Sequence, residues 1–237
     1  GVNYITFTSG DEKTVISGLN AGDYKVTETV APDGYTISTA EFEFTVDTEG
    51  SVTTDKIEII DEAVELSVNK TDLTGNKEVK NAVLTITNDK LTADQWKAIA
   101  DANKGVELTK DGKGIYWTSG DEAVEIKYLL NGEYTLTETQ GDEAITDKDG
   151  NKYEVIESKV TFKVDNTSDK VITVTGAADK FKTENEIDDK TKGYTVYDGE
   201  TLTICDAVRK TGTVTVSKVE VTGGEEIEGA KLVIETT

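Results

Sequence analysis

The chain has 237 residues, 47 acidic against 25 basic side chains and a formal charge of −22, a balance that repels nucleic acid and anionic membrane surfaces and leaves neither as an expected partner. It contains no His, which removes most nucleophilic triads and transition-metal sites, and its one cysteine, Cys205, has no second thiol with which to form a disulfide. No apolar run is long enough to cross a bilayer, and neither a signal peptide nor a sorting tail is legible, so the sequence reads as an internal piece of something longer.

Abundant Thr and Val, nine Tyr and a single Pro, with Gly-Asp, Asn-Gly and Asp-Gly pairs at short intervals, predict an all-β chain of short strands. Taken in order, the elements repeat. The chain starts with Ile5-Thr-Phe-Thr-Ser-Gly-Asp-Glu12, then Leu19-Asn-Ala-Gly-Asp-Tyr24, the strand Tyr24–Thr29, a strand Phe42–Asp47 and a closing strand Ile57-Glu-Ile-Ile-Asp61. An opening strand Leu66–Lys70 and a second strand Asn81–Ile86 follow, with no counterpart ahead of the first copy. Thr92 with Gln95 makes a capping box and Leu91 with Trp96 a hydrophobic staple, so the spacing predicts a helix over 93–103 that lays Trp96, Ile99 and Ala100 on the sheet.

The first set then returns. Ile115-Tyr-Trp-Thr-Ser-Gly-Asp-Glu122, Leu129-Leu-Asn-Gly-Glu-Tyr134 and the strand Tyr134–Thr139 keep one offset over some twenty-five residues. Val160–Asp165 and the closing strand Leu202-Thr-Ile-Cys-Asp206 re-align after a loop and an insertion at about 166–198. Val214–Lys218 and Gly229–Ile234 repeat the opening strands at the far end. Three units result: 1–63, the C-terminal part of one domain; 64–212, a whole domain; and 213–237, the opening strands of a further domain. Head and tail are complementary, which suggests one period of a tandem or polymeric array. Neither part covers its own apolar face alone.

Alternate side chains of a strand share a face. Leu66, Val68 and Lys70 therefore point one way, as do Tyr134, Leu136 and Glu138, and Leu202, Ile204 and Asp206. The other copy has Val214, Val216, Lys218; Tyr24, Val26, Glu28; and Ile57, Ile59, Asp61. Each row of apolar residues ends in one charged side chain, and such residues are almost never fully buried unless paired. A buried salt-bridge cluster is the plain reading. The chemical one is that a desolvated amine, held against a protonated carboxyl with a second acid moving protons, expels water and forms an amide.

Val214–Lys218 with the Gly-Ala-Lys-Leu after it, the Tyr-x-x-x-Glu strands and above all Glu28-Thr-Val-Ala-Pro-Asp-Gly-Tyr35 resemble the CnaB-like (SpaA-type) immunoglobulin-like domains of Gram-positive surface adhesins and pilins. The resemblance implies tandem CnaB-like β-sandwiches with one short helix inserted in the complete domain. It implies an isopeptide cross-link from Lys70 to Asp206 with Glu138 assisting, and from Lys218 to Asp61 with Glu28 assisting. The commoner acceptor in the family is Asn, which keeps Asn185 of the insertion as a less favoured acceptor, and the second copy lacks the Ala-Pro-x-Gly-Tyr sequence after Glu138.

The expected function is a structural stalk or fibre segment at the bacterial cell surface or wall, its partners being neighbouring copies of itself or adjacent domains, with no turnover enzyme activity, no cofactor and no metal. The rival is an adhesin module that recognises a glycan or host protein, with Tyr153, Tyr194 and Tyr197 as exposed aromatics of a site. Asp147-Lys-Asp-Gly-Asn151 with Glu154 resembles part of a calcium loop but reads equally as a hairpin turn.

Overall fold

The computed structural model describes residues 4–156, 159–210, 212–221 and 223–235. Twelve strands and one helix are present among them: β1 (Gly22–Val26), β2 (Phe42–Val46), β3 (Glu65–Asp72), β4 (Ala82–Thr87), α1 (Ala93–Ala102), β5 (Glu107–Leu108), β6 (Gly114–Thr118), β7 (Val124–Lys127), β8 (Gly132–Gln140), β9 (Val160–Val164), β10 (Ile172–Thr175), β11 (Gly193–Tyr197) and β12 (Thr201–Asp206). No helix among the described residues is long and apolar enough to cross a membrane.

The segment 64–206 is a two-sheet sandwich. One sheet has the order β10-β9-β8-β4-β6-β5 and the other β11-β12-β3-β7. Alternation makes the core: Leu66 and Val68 from β3, Leu84 and Ile86 from β4, Tyr134 and Leu136 from β8, and Leu202 and Ile204 from β12 all lie in one cluster. Such burial is the main favourable term of the fold, at roughly 1.5–3 kcal/mol per large side chain. The opening and closing strands are neighbours and run parallel, with Lys70 opposite Ile204. Most other pairs are antiparallel.

Helix α1 begins where the capping box placed it, with Thr92 Oγ1 accepting the Gln95 N–H and Gln95 Oε1 accepting the Thr92 N–H. It buries Trp96, Ile99 and Ala100, and the Trp96 ring meets Tyr134 edge-on at 6.0 Å. The insertion supplies β10 and β11, one edge strand for each sheet. It also covers the outer side of β12, where Cys205, Leu73 and Val196 cluster against Ala178, Ile187 and Tyr194.

The first unit is different. Among its described residues only β1 and β2 pair as strands, with Tyr24 stacked on Phe44 at 5.2 Å. Ile57–Asp61, Val214–Lys218 and Gly229–Ile234, expected as strands, are not paired as strands in this single chain, and neither is the repeat segment Ile5–Glu12. Their apolar residues stand exposed, among them Ile5, Phe7, Ile60, Val214 and Val233. A strand is stabilised by its ladder and by the face it buries, and these segments have neither. One piece of the opening unit keeps its shape: Ile227 N–H donates to Lys218 O as Val79 N–H donates to Lys70 O, so the same turn closes after both lysines.

Candidate functional site

Lys70 and Asp206 reach the same point from neighbouring strands. Lys70 lies opposite Ile204 across the parallel pair, and Asp206 is two residues further along β12, on the same inward face. Glu138, opposite Leu84 on β8, comes from the facing sheet. Lys70 Nζ stands 2.5 Å from Asp206 Oδ2 and 3.5 Å from Glu138 Oε1. The three side chains are at most 1% exposed.

This close set is poorly satisfied. Glu138 Oε2 accepts the Ile156 N–H at 3.2 Å. Among the described residues, Lys70 Nζ, Glu138 Oε1 and both Asp206 oxygens make no hydrogen bond of ordinary geometry, although the lysine and aspartate atoms are nearly touching. Apart from the Ile156 amide, the three groups have only one another for polar company. Burial pushes the Glu138 carboxyl up to about 8, with Lys70 pulling it down and Asp206 pushing it further up. Burial likewise raises the Asp206 carboxyl, against the pull of Lys70. Burial therefore favours the protonated form of Glu138 near neutral pH.

Gly193 makes room for this arrangement. It pairs with Asp206, and a Cβ there would lie 2.7 Å from Cys205 O and 3.4 Å from Asp206 Oδ1. Neither Gly193 nor the Ile156 amide stands out in the sequence. Only a register fixes which backbone atoms face a carboxylate, and the insertion hides that register.

The second set of residues is divided. Glu28 and Asp61 lie together in the first unit. Burial raises the Glu28 carboxyl, the Ser38 N–H that it accepts at 2.7 Å lowers it, and Asp61 raises it further. Asp61 Oδ1 is enclosed without a hydrogen-bond partner among the described residues. Lys218 is exposed on its own turn, where its N–H donates to Glu226 Oε2 at 3.0 Å. Among the described residues, no ion pair joins Lys218 to either acid.

Other candidates from the sequence are placed elsewhere. Asn185 is exposed in the 3-10 turn Glu184–Glu186, outside the buried set. Tyr153 is buried and donates to Asp147; Tyr194 is partly buried, accepts the Lys182 N–H at 2.6 Å and donates to Leu73 O; Tyr197 donates to Gly199 O. The three tyrosines therefore form no exposed aromatic surface. Their hydroxyls find backbone or carboxylate partners, which draws the rings inward. Asp147 accepts from the Asp149 and Asn151 N–H groups, Asn151 Nδ2 and the Tyr153 hydroxyl. Those donors outweigh burial and hold its carboxyl at about 2, so it caps a turn. No group of three or more potential metal ligands occurs among the described residues.

Comparison with known proteins agrees with the motif. Residues 2–59 match the family model described as SpaA, a prealbumin-like fold domain, and this stretch contains Glu28 and the Ala-Pro-Asp-Gly-Tyr turn. No curated protein matches the chain. Among solved structures, the C-terminal fragment of the pilus adhesin SpaC from Lactobacillus rhamnosus GG is 16% identical, with 84% of this chain and 80% of that one covered and a TM-score of 0.38. The Bacillus anthracis TIE protein is 25% identical over 61% of this chain and 22% of its own, at a TM-score of 0.32. BcpA, the major pilin subunit of Bacillus cereus, is 13% identical over 57% and 36%, at a TM-score of 0.29.

Proposed function

We propose, starting from the SpaA-type prealbumin-like assignment of residues 2–59, that the chain is a structural segment of a Gram-positive surface stalk or fibre, braced by an amide that it makes between Lys70 and Asp206. The observation that carries this reading is the buried amine 2.5 Å from a carboxylate with almost no other polar company. Left ionic, the set costs desolvation at three groups. Condensed, the lysine and aspartate become one neutral amide.

The step balances without an outside reagent. The Lys70 ammonium passes one proton to Asp206 Oδ2, 2.5 Å away, and the freed amine attacks the Cγ of the now neutral Asp206 carboxyl. A C–N bond forms, a C–O bond breaks, and the departing hydroxyl takes a proton from Glu138 and leaves as water. Glu138 recovers a proton from the nitrogen. Fixed geometry of this kind is worth about 7–11 kcal/mol of barrier, and no turnover follows, since the product stays in the chain.

The ring so closed spans first strand to last. On the chain-entropy account used for disulfides, closing a loop of about a hundred residues stabilises by roughly 4–5 kcal/mol. In a chain with one cysteine it braces without redox chemistry. The divided set extends the reading: Glu28 and Asp61 of one domain take Lys218 either from another copy or from a neighbouring repeat, and complete the domain now in two parts.

Intact mass of the denatured chain tests the proposal. One water is missing from the parent and restored in Lys70→Ala and in Glu138→Ala; the full calculated mass in the parent overturns the amide. A denaturing gel that shows a ladder, abolished by Lys218→Ala, supports completion between copies, and a single monomer band refutes it.

A further inference from the structure

We infer that Asn131 and Asn166 form a receptor for the Pro32–Tyr35 turn of the preceding unit, and that this receptor holds two consecutive domains at a fixed angle. The Asn166 carboxamide is buried and its capacity is used: Nδ2 donates to Pro32 O and to Tyr35 O, both at 3.0 Å, and Oδ1 accepts from Asn131 Nδ2 at 2.8 Å. The Asn166 N–H donates back to Asn131 Oδ1 at 2.8 Å. The Asn131 N–H donates to Asp33 Oδ1 at 2.6 Å. A pair of asparagines on the loops before β8 and after β9 thus reads two carbonyls and one carboxylate of a turn 98 to 134 residues away.

Packing supports the polar contacts. Tyr35 meets Tyr128 edge-on at 5.4 Å. Gly34 is buried with φ +88°, and a Cβ there would lie 3.3 Å from Leu130 and 3.5 Å from Tyr128 O, so both its conformation and its surroundings select glycine. The connecting strand is held as well, since Val64 N–H donates to Gly34 O and Tyr128 N–H to Val64 O. A buried asparagine that loses its partners is left with unsatisfied polar atoms, which penalises bending.

The two copies divide this device between them. Where the first has Ala31-Pro-Asp-Gly-Tyr35, the second has Gly141-Asp-Glu-Ala-Ile145, which folds back onto its own domain with Ile145 packed against Val79, Ala82 and Tyr153. The positions aligned with Asn131 and Asn166 in the first copy are Ala21 and Thr48. Turn and receptor therefore belong to one joint, the one between 1–63 and the complete domain. The inference does not require the Lys70–Asp206 amide, because every contact in it lies outside that set.

The test uses the full chain in a Cys205→Ala background with spin labels on Glu43→Cys and Lys97→Cys, both exposed sites on opposite sides of the joint. The expected distance distribution is narrow and single, broadens strongly in Asn166→Ala, and broadens less in Asp33→Ala. Intact mass and circular dichroism on the same samples report the amide and the folded sandwich separately, so failure of the amide is distinguishable from failure of the joint. A broad distribution in the parent, or one equally narrow in both variants, overturns the receptor. If Asn166→Ala loses the folded sandwich, Tyr35→Ala replaces it, and an unbroadened distribution there has the same force.

Discussion

Ile115-Tyr-Trp-Thr and Ile5-Thr-Phe-Thr are the same motif in two settings. The first is strand β6, with Ile115 fully buried and Trp117 2% exposed; the second is no strand, and Ile5 and Phe7 are 64% and 51% exposed. The closing strands make the same contrast, for Leu202–Asp206 is buried between β3 and β11 whereas Ile57–Asp61 has no ladder. Equal local propensity thus gives unequal structure, because a strand exists by virtue of its neighbours. Residues 213–235 repeat the sequence of β3 and β4, and they too stand without a ladder among the described residues.

The sharpest way to break the contrast is to remove the lysine from the complete copy. With the proposed amide formed in the parent, Lys70→Met should cost about 4–5 kcal/mol on the chain-entropy account, and it leaves Glu138 and Asp206 buried without the lysine beside them. Denaturant unfolding should show the whole of that loss in the 64–206 sandwich. Lys218→Met, in a monomeric preparation, should change stability by less than about 0.5 kcal/mol, as an exposed site does.

The same variant carries a pH signature. Burial raises the Glu138 carboxyl to about 8 from an ordinary 4.5, and removing Lys70 takes away the one charge pulling it down. A carboxyl raised in the folded state contributes stability that is fully present below about pH 4.5 and lost as pH climbs through about 8. Melting temperature of Lys70→Met should therefore fall across that window. Lys70→Met combined with Glu138→Gln should be flatter; an identical slope in both would mean that Glu138 does not titrate there.

How much of this was legible in the sequence follows from the same contrast. Repeat offset, helix α1 with its capping box, and the inward faces ending at Lys70, Glu138 and Asp206 were all readable, since each depends on spacing within one element. The exposure expected for Tyr153, Tyr194 and Tyr197 fails because their hydroxyls find partners in other segments, and Tyr153 packs on Val79, Ala82 and Ile145. The asparagine receptor was invisible for a related reason: Asn131 and Asn166 look like turn residues until two loops and a distant turn are brought together. Pairing between segments, rather than pattern within them, is what a single sequence withholds.

A smaller test concerns space. Gly193→Ala places a Cβ 2.7 Å from Cys205 O, so β11 must move off β12. Overpacking of this kind costs about 1–3 kcal/mol, and the moved strand is the one that pairs with Asp206. Thermal unfolding should report the cost. Intact mass should report a larger fraction of chains that keep their water, and an unchanged fraction would show that the amine and acid meet without help from β11.

The smallest effect separates the two copies most finely. Cys205 aligns with Ile60, one residue before the closing aspartate in each copy. Cys205 is fully buried beneath the insertion and its thiol is pushed up to about 11 by burial, whereas Ile60 is 78% exposed. Cys205→Ala should cost about 1 kcal/mol, the order expected for removing one buried methylene-sized group. Ile60→Ala should stay within about 0.5 kcal/mol in dilute monomer. If Ile60→Ala instead matches Cys205→Ala, and does so only at high protein concentration, then a second copy covers that strand as the insertion covers β12. Dependence on concentration is the telling variable, because a cover within one chain stabilises equally at any dilution, while a cover lent by another chain follows mass action.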